Sequence, residues 1–318
     1  MRNSHNRHTK EKNDRKNAIG PLIPLLMMSI LLMAALQTPY AQTWGTATAS
    51  AHSGKKHMPV AELFVYIGCQ YCPYAEAGMY RLASERDDFF FLEYHIWNDQ
   101  AGWSSNQTNA LAAAYGVQGT PFVAVDGVIP ISGADPSNYG FGMFEESCHD
   151  AYKNAVEQRL SKSSLYSITV SVKKTGDNIT ATATIEINDP DFAEKNPYAR
   201  FILFERGASF GGEKYRNVVR DLPQATPILE PGRTHVTKNF TVPPETQDPK
   251  MLGVAVMIQN WYTGEIMESN YVYLNPAVKT SGDFGNSPPV PLLAVASTGA
   301  GAAIVIGVFL WKKGRTGR

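Results

Sequence analysis

The chain has 318 residues, with 29 Lys and Arg set against 29 Asp and Glu, so its formal net charge is zero. Six of the bases and two of the acids precede the first apolar run and four bases follow the last, leaving 19 bases and 27 acids between them, a balance of −8. An acidic middle argues against a nucleic-acid binder, because phosphate neutralisation supplies most of that affinity, and the length suffices for two domains, each with its own core.

Residues 1–41 combine a basic segment with the apolar run 18–36 and the imperfect cleavage sequence Pro39-Tyr40-Ala41; they read as a signal peptide or an N-terminal anchor. Residues 42–57, rich in Thr, Ala, Ser, Gly and His, read as a flexible lead-in. A strand is expected over 59–67, a helix over 69–84, a strand over 89–97, a polar loop over 101–107 and a helix over 108–115. Strands 122–125 and 128–132 flank Asp126-Gly127, the strongest short hairpin signal. Apolar spacing through Phe144, Cys148, Tyr152, Ala155, Val156 and Leu160 predicts a helix over 144–160.

Beyond residue 164 the pattern changes to short β-branched and aromatic runs at 165–172, 179–187, 200–205, 217–220, 236–242, 252–258 and 266–274, separated by turn residues. Seven strands at this spacing predict an immunoglobulin-like β-sandwich over 165–275. Residues 276–289 read as a Pro, Gly and Ser linker, 290–311 as an uncharged transmembrane helix, and the basic 312–318 as its cytoplasmic tail. The bulk of the chain is therefore expected outside the cell membrane, attached by a single pass. Three Asn-x-Thr glycosylation acceptors, at Asn106, Asn178 and Asn239, agree with export.

Cys69-Gln70-Tyr71-Cys72 lies between the expected strand 59–67 and a helix, a setting that makes CxxC a redox motif. At a helix N-terminus the first cysteine meets unsatisfied N–H groups and the positive end of the dipole, both of which favour the attacking thiolate. Cys69 is thus the expected nucleophile and Cys72 the resolving thiol. Two other readings stand beside this one. A structural disulfide is common outside the cell. A zinc site needs two more ligands, for which only the adjacent Cys148 and His149 offer themselves, and neighbours in sequence rarely converge on one ion; no metal and no cofactor are expected. Cys148 shares a helix face with Phe144 and Tyr152 and reads as a buried inert thiol. Trp97, Trp103 and Trp261 read as packing residues, and His95 as a packed histidine or one that tunes the thiolate.

Cys69-x-x-Cys72-Pro73, the strand ending in His95, and Gly119-Thr120-Pro121 followed by Phe122-Val123-Ala124-Val125-Asp126-Gly127 resemble the thioredoxin superfamily over about residues 58–162. More narrowly, the chain resembles a surface family first named for a bacterial outer-membrane protein, which joins a thioredoxin-like domain to a C-terminal β-sandwich; residues 215–220 are similar to its second domain. The resemblance implies redox capability, a cis bond before Pro121, and a Thr120 backbone set against the cysteines to pair with an extended substrate segment. Many relatives carry a buried acid six residues before the first cysteine. Leu63 holds that place here, and Glu62, one residue back, is the candidate proton acceptor for Cys72 if a one-residue bulge re-aims it. Gly68 precedes the first cysteine instead of the usual Trp, and Gln70-Tyr71 replaces Gly-Pro.

The combined expectation is an α/β thioredoxin-like domain over 58–162, an all-β sandwich and a transmembrane helix. The expected function is a membrane-anchored thiol–disulfide oxidoreductase acting on exported cysteine-containing proteins with an unknown membrane redox partner. The alternative is a non-catalytic cell-surface binding module with a structural disulfide.

Overall fold

A computed structural model describes residues 46–49, 57–133 and 144–275. The expected signal, linker, transmembrane helix and cytoplasmic tail, and most of the lead-in, lie outside the described residues. Among the described residues no helix is long and apolar enough to cross a membrane.

The elements run β1 (Ala47–Ala49), β2 (Val60–Val65), α1 (Cys72–Glu85), β3 (Phe90–His95), α2 (Asn106–Ala114), β4 (Phe122–Val125), β5 (Ile129–Ser132) and α3 (Phe144–Leu160). There follow β6 (Tyr166–Thr175), β7 (Asn178–Ile187), the single turn α4 (Phe192–Lys195), β8 (Pro197–Glu205), β9 (Ala208–Phe210), β10 (Glu213–Tyr215) and β11 (Val218–Asp221). β12 (Thr226–Pro227), β13 (Gly232–Thr241), β14 (Leu252–Asn260) and β15 (Ile266–Tyr273) complete the order.

Local chemistry accounts for several of these boundaries. Pro73 is tolerated in the first turn of α1, where its missing N–H has no helical partner in any case. Ser105 and Thr108 form a reciprocal capping box that starts α2. Asp126 and Gly127 both take positive φ, 48° and 72°, and turn the chain from β4 to β5, which begins at Ile129. β6 and β7 alternate buried and more exposed positions, as strands with one covered face should.

A nine-stranded sheet orders its strands β15-β14-β8-β11-β3-β2-β4-β5, with β12 beside β8. Its two halves are joined where β11 runs parallel to β3, Val218 opposite Glu93, with the Glu93 N–H donating to the Asn217 carbonyl at 3.0 Å. The sheet curls so that one face of β8, β14 and β15 covers one face of β2, β3 and β4. Phe64, Phe90, Leu92, Tyr94, Phe122, Ile202, Phe204, Ala255 and Met257 form this shared core. A four-stranded sheet, β1-β6-β7-β13, packs on the other face of β8 and β14. Helices α1 and α3 cover the remaining face of β2, β3 and β4. They meet closely at Gly78, where a Cβ would lie 2.8 Å from the His149 nitrogen and 2.9 Å from Cys148 Cβ.

This architecture corrects the expected fold class. The described residues are mainly β, 43% in strands and 22% helical. They do not divide into a thioredoxin-like α/β domain and a separate immunoglobulin-like sandwich. One sheet runs through both segments, and beside a core within each, a further core around Phe64, Tyr94, Ile202 and Phe204 is built from both. The lead-in is corrected too: its residues 47–49 form an edge strand paired with β6, and His57 is buried against Asp126 at 2.6 Å. Of the expected packing residues, Trp103 is buried, whereas Trp97 and Trp261 are 42% and 63% exposed.

Candidate functional site

Cys69 and Cys72 form a disulfide at the N-terminus of α1. The helix begins at Cys72 with Tyr71 as its N-cap, so Cys69 lies in the turn ahead of the helix rather than inside it. Gly68, at φ 107°, makes this turn from β2 into the CxxC segment. The Cys69 N–H donates to the Tyr66 carbonyl at 3.2 Å. The Cys72 N–H donates to Cys69 Sγ at 3.1 Å. No acid occupies the first turn of α1, so nothing there opposes the positive end of the dipole. Both cysteines are buried, Cys69 at 8% exposure less deeply than Cys72 at 1%.

The Thr120–Pro121 bond is cis, and the Thr120 carbonyl lies 3.6 Å from Cys69 Sγ. Pro121 leads directly into β4, and its carbonyl accepts the Gly133 N–H at 2.8 Å. Cys69, Cys72, Thr120 and Pro121 are therefore brought together at one end of the sheet.

Glu62 is not part of this group. β2 pairs with β3 and β4 in unbroken register, so no bulge re-aims it. Alternation along β2 puts Ala61, Leu63 and Val65 on the disulfide's face and Glu62 on the opposite one. There the buried Glu62 carboxylate accepts from Arg200 at 2.7 Å and from the Tyr115 hydroxyl. Arg200 further donates to Gln259 at 3.0 Å and to Tyr94 at 3.3 Å. This polar cluster ties the two halves of the chain together and cannot reach the cysteines.

The acid on the disulfide's face comes instead from the neighbouring strand. Glu93 stands directly opposite Leu63 in the parallel pairing of β2 with β3. It is buried, accepts from the Tyr80 hydroxyl at 2.5 Å, and lies 2.9 Å from His95 Nε2. His95 Nδ1 lies 2.8 Å from Asp99, whose same oxygen accepts the Ile67 N–H two residues before Cys69, also at 2.8 Å. Burial disfavours the imidazolium, but the hydrogen bonds and charges of Asp99 and Glu93 outweigh it, and His95 is raised to about 9. Glu76 stands one helical turn after Cys72 and so on the same side of α1. Burial, then the charge of Glu93, holds its carboxyl well above the ordinary range. The sequence signal for Glu93 is a charged residue inside the aromatic strand 89–97; its register against Leu63 requires the sheet.

Cys148 is buried on α3, in the same apolar cluster as Cys69 and Cys72, and burial raises its thiol to about 11. Among the described residues Glu146, His149 and Asp150 form a group that could hold a metal ion. Both His149 nitrogens are already engaged, by Glu85 at 2.8 Å and by Asp150 at 3.1 Å. Of the expected glycosylation sites, Asn106 opens α2, with its Thr108 buried in the capping box, and Asn178 and Asn239 sit on β7 and β13.

No family model and no curated protein matches the chain. Among solved structures, it is similar to HBP35 of Porphyromonas gingivalis, with 16% identity and a TM-score of 0.54 over 80% of this chain and 84% of that one. A β-glucosidase from Kluyveromyces marxianus matches 39% of this chain and 16% of its own, with 13% identity and a TM-score of 0.22, too low to carry an argument. At 16% identity, the likeness to HBP35 is one of fold alone.

Proposed function

We propose that the chain is a thiol–disulfide oxidoreductase that works through Cys69 and Cys72. The observation that carries this reading is the asymmetry of the pair: Cys69, the less deeply buried residue, has a sulfur that accepts a helix N-terminal N–H and faces the Thr120 carbonyl, and it is backed by the more deeply buried Cys72. In the reducing direction the Cys69 thiolate attacks one sulfur of a client disulfide, forming a mixed disulfide and releasing a client thiolate. The Cys72 thiolate then attacks Cys69 Sγ, closing the Cys69–Cys72 bond and releasing the second client thiolate. An external dithiol must reopen the pair; run backwards, the same steps oxidise a client dithiol at the expense of the Cys69–Cys72 bond. A disulfide at this site suits an oxidising compartment, with exported cysteine-containing proteins as clients.

Glu76, one helical turn after Cys72 on the same side of α1, replaces Glu62 as the candidate proton acceptor in this reading. Glu93, His95 and Asp99 act as positioning residues: through the Ile67 N–H they fix the turn that carries Cys69.

The test is a trapping experiment with a disulfide-linked peptide. Cys72→Ser is expected to accumulate a reducible adduct on Cys69, and Cys69→Ser to accumulate little, because Cys72 is the more deeply buried. Equal behaviour of the two variants, with no adduct in either, would return the protein to the binding-module reading.

A further inference from the structure

Trp97 follows β3 by two residues and has a backbone φ of 59°. That left-handed conformation suits Gly or Asn and is an outlier for a bulky side chain. Such strain persists only where neighbours enforce it. Here the Trp97 N–H donates to Asn109 Oδ1 at 2.6 Å, and its carbonyl accepts from Ser104 Oγ at 2.8 Å. The indole ring packs against Tyr66, centroids 5.8 Å apart and planes at 54°, and the residue is still 42% exposed.

Three contacts tie the segment that carries this exposed ring to the turn that carries the disulfide. Tyr66 supplies the carbonyl that accepts the Cys69 N–H. The loop bearing Trp97 lies against the CxxC turn: Gln100 Nε2 is 2.9 Å from where a Cβ on Gly68 would stand, and Asp99 holds the Ile67 N–H. On the other side of Cys69, Tyr71 is 44% exposed between the two cysteines. Aromatic surface displayed at a conformational cost therefore stands beside the turn that carries Cys69.

We propose that Trp97, supported by Tyr66, is a specificity-determining residue that packs against an aromatic or large apolar side chain flanking the client cysteine. The occupant is an extended client peptide, and the inference rests on the disulfide-exchange reading. An indole packed on an aromatic ring fits such a side chain through offset or edge-to-face contact, and Gly in its place offers nothing to pack.

The experiment uses two short peptides, each carrying one cysteine as a disulfide with the same small thiol, one with Phe beside the cysteine and one with Gly, with dithiothreitol as the reductant that reopens the Cys69–Cys72 bond after each cycle. The wild-type protein is expected to turn over the Phe peptide with a kcat/KM roughly three- to tenfold higher, mainly through KM. Trp97→Asn removes the ring and suits the left-handed backbone, so the chain should fold with an unchanged or higher Tm while the Phe/Gly ratio falls below about twofold. Trp97→Phe should retain most of the ratio. An unchanged ratio in Trp97→Asn overturns the proposal. So does a marked fall in Tm, which would make Trp97 a packing residue. Hydroxyethyl disulfide separates the two levels of the argument: if the wild-type protein turns it over yet shows no peptide preference, this inference alone fails. If it turns over neither, the disulfide-exchange reading fails with it.

Discussion

Replacing Glu62 by Gln discriminates a structural strut from a proton acceptor. Among the described residues the buried Arg200 guanidinium has one counter-ion in direct contact, Glu62 at 2.7 Å, and its other partners, Gln259, Tyr94 and Tyr115, are neutral. Glu62→Gln keeps the volume and removes the charge, leaving a cation buried without compensation. Breaking one side of a buried pair costs about 3–5 kcal/mol, so urea unfolding at neutral pH should show a loss of that size with little change in m. Glu62→Leu combined with Arg200→Met removes both charges and should recover much of it. Disulfide exchange per folded molecule should keep its rate and pH profile in Glu62→Gln. A loss below about 1 kcal/mol together with a shifted pH–rate profile would refute the reasoning and return Glu62 to the chemistry.

Three further outcomes follow from the same geometry. His95, near 6.5 when unfolded and raised to about 9 when folded, stabilises the protein fully below 6.5, and that contribution is lost as pH rises through about 9; thermal melts should show a decline on the order of 3 kcal/mol across this window, much reduced in His95→Gln. Gly127→Ala places a Cβ 2.2 Å from the Gly264 carbonyl oxygen at a φ of 72°, and chemical denaturation should show a loss of about 2–4 kcal/mol. Cys148 should resist an alkylating reagent until the chain unfolds, and Cys148→Ala should leave exchange intact; rapid labelling of the folded protein would show that its burial has been misjudged.

Much of the secondary structure is legible in the sequence because it depends on neighbours in sequence. The helix over 144–160 and the Asp126-Gly127 turn follow from periodicity and turn chemistry, and the CxxC pair does open a helix, although Cys69 stops short of it. The joining of the two segments depends on residues far apart. Glu62 and Arg200 are 138 positions apart, and the β3–β11 junction rests on a short parallel pairing. One signal was nevertheless present. β6 and β7 alternate, as strands with one open face do, whereas β8 and β14 are almost continuously apolar and buried along their length. A strand covered on both faces reads in that way, and a free-standing sandwich leaves the outer faces of its strands in water. The same blindness to pairing misplaced the acid: its offset from Cys69 in sequence pointed to Leu63 and Glu62, while the sheet sets Glu93 at Leu63's side.

The most direct test of the central claim is the reduction potential of the Cys69–Cys72 pair, measured by equilibrating the folded protein with glutathione or dithiothreitol buffers and counting thiols after acid quench. A pair that exchanges with clients should fall between about −270 and −120 mV, where known exchange proteins poise. A value below about −300 mV, resistant to the glutathione pool, would identify a structural disulfide and contradict the proposed activity.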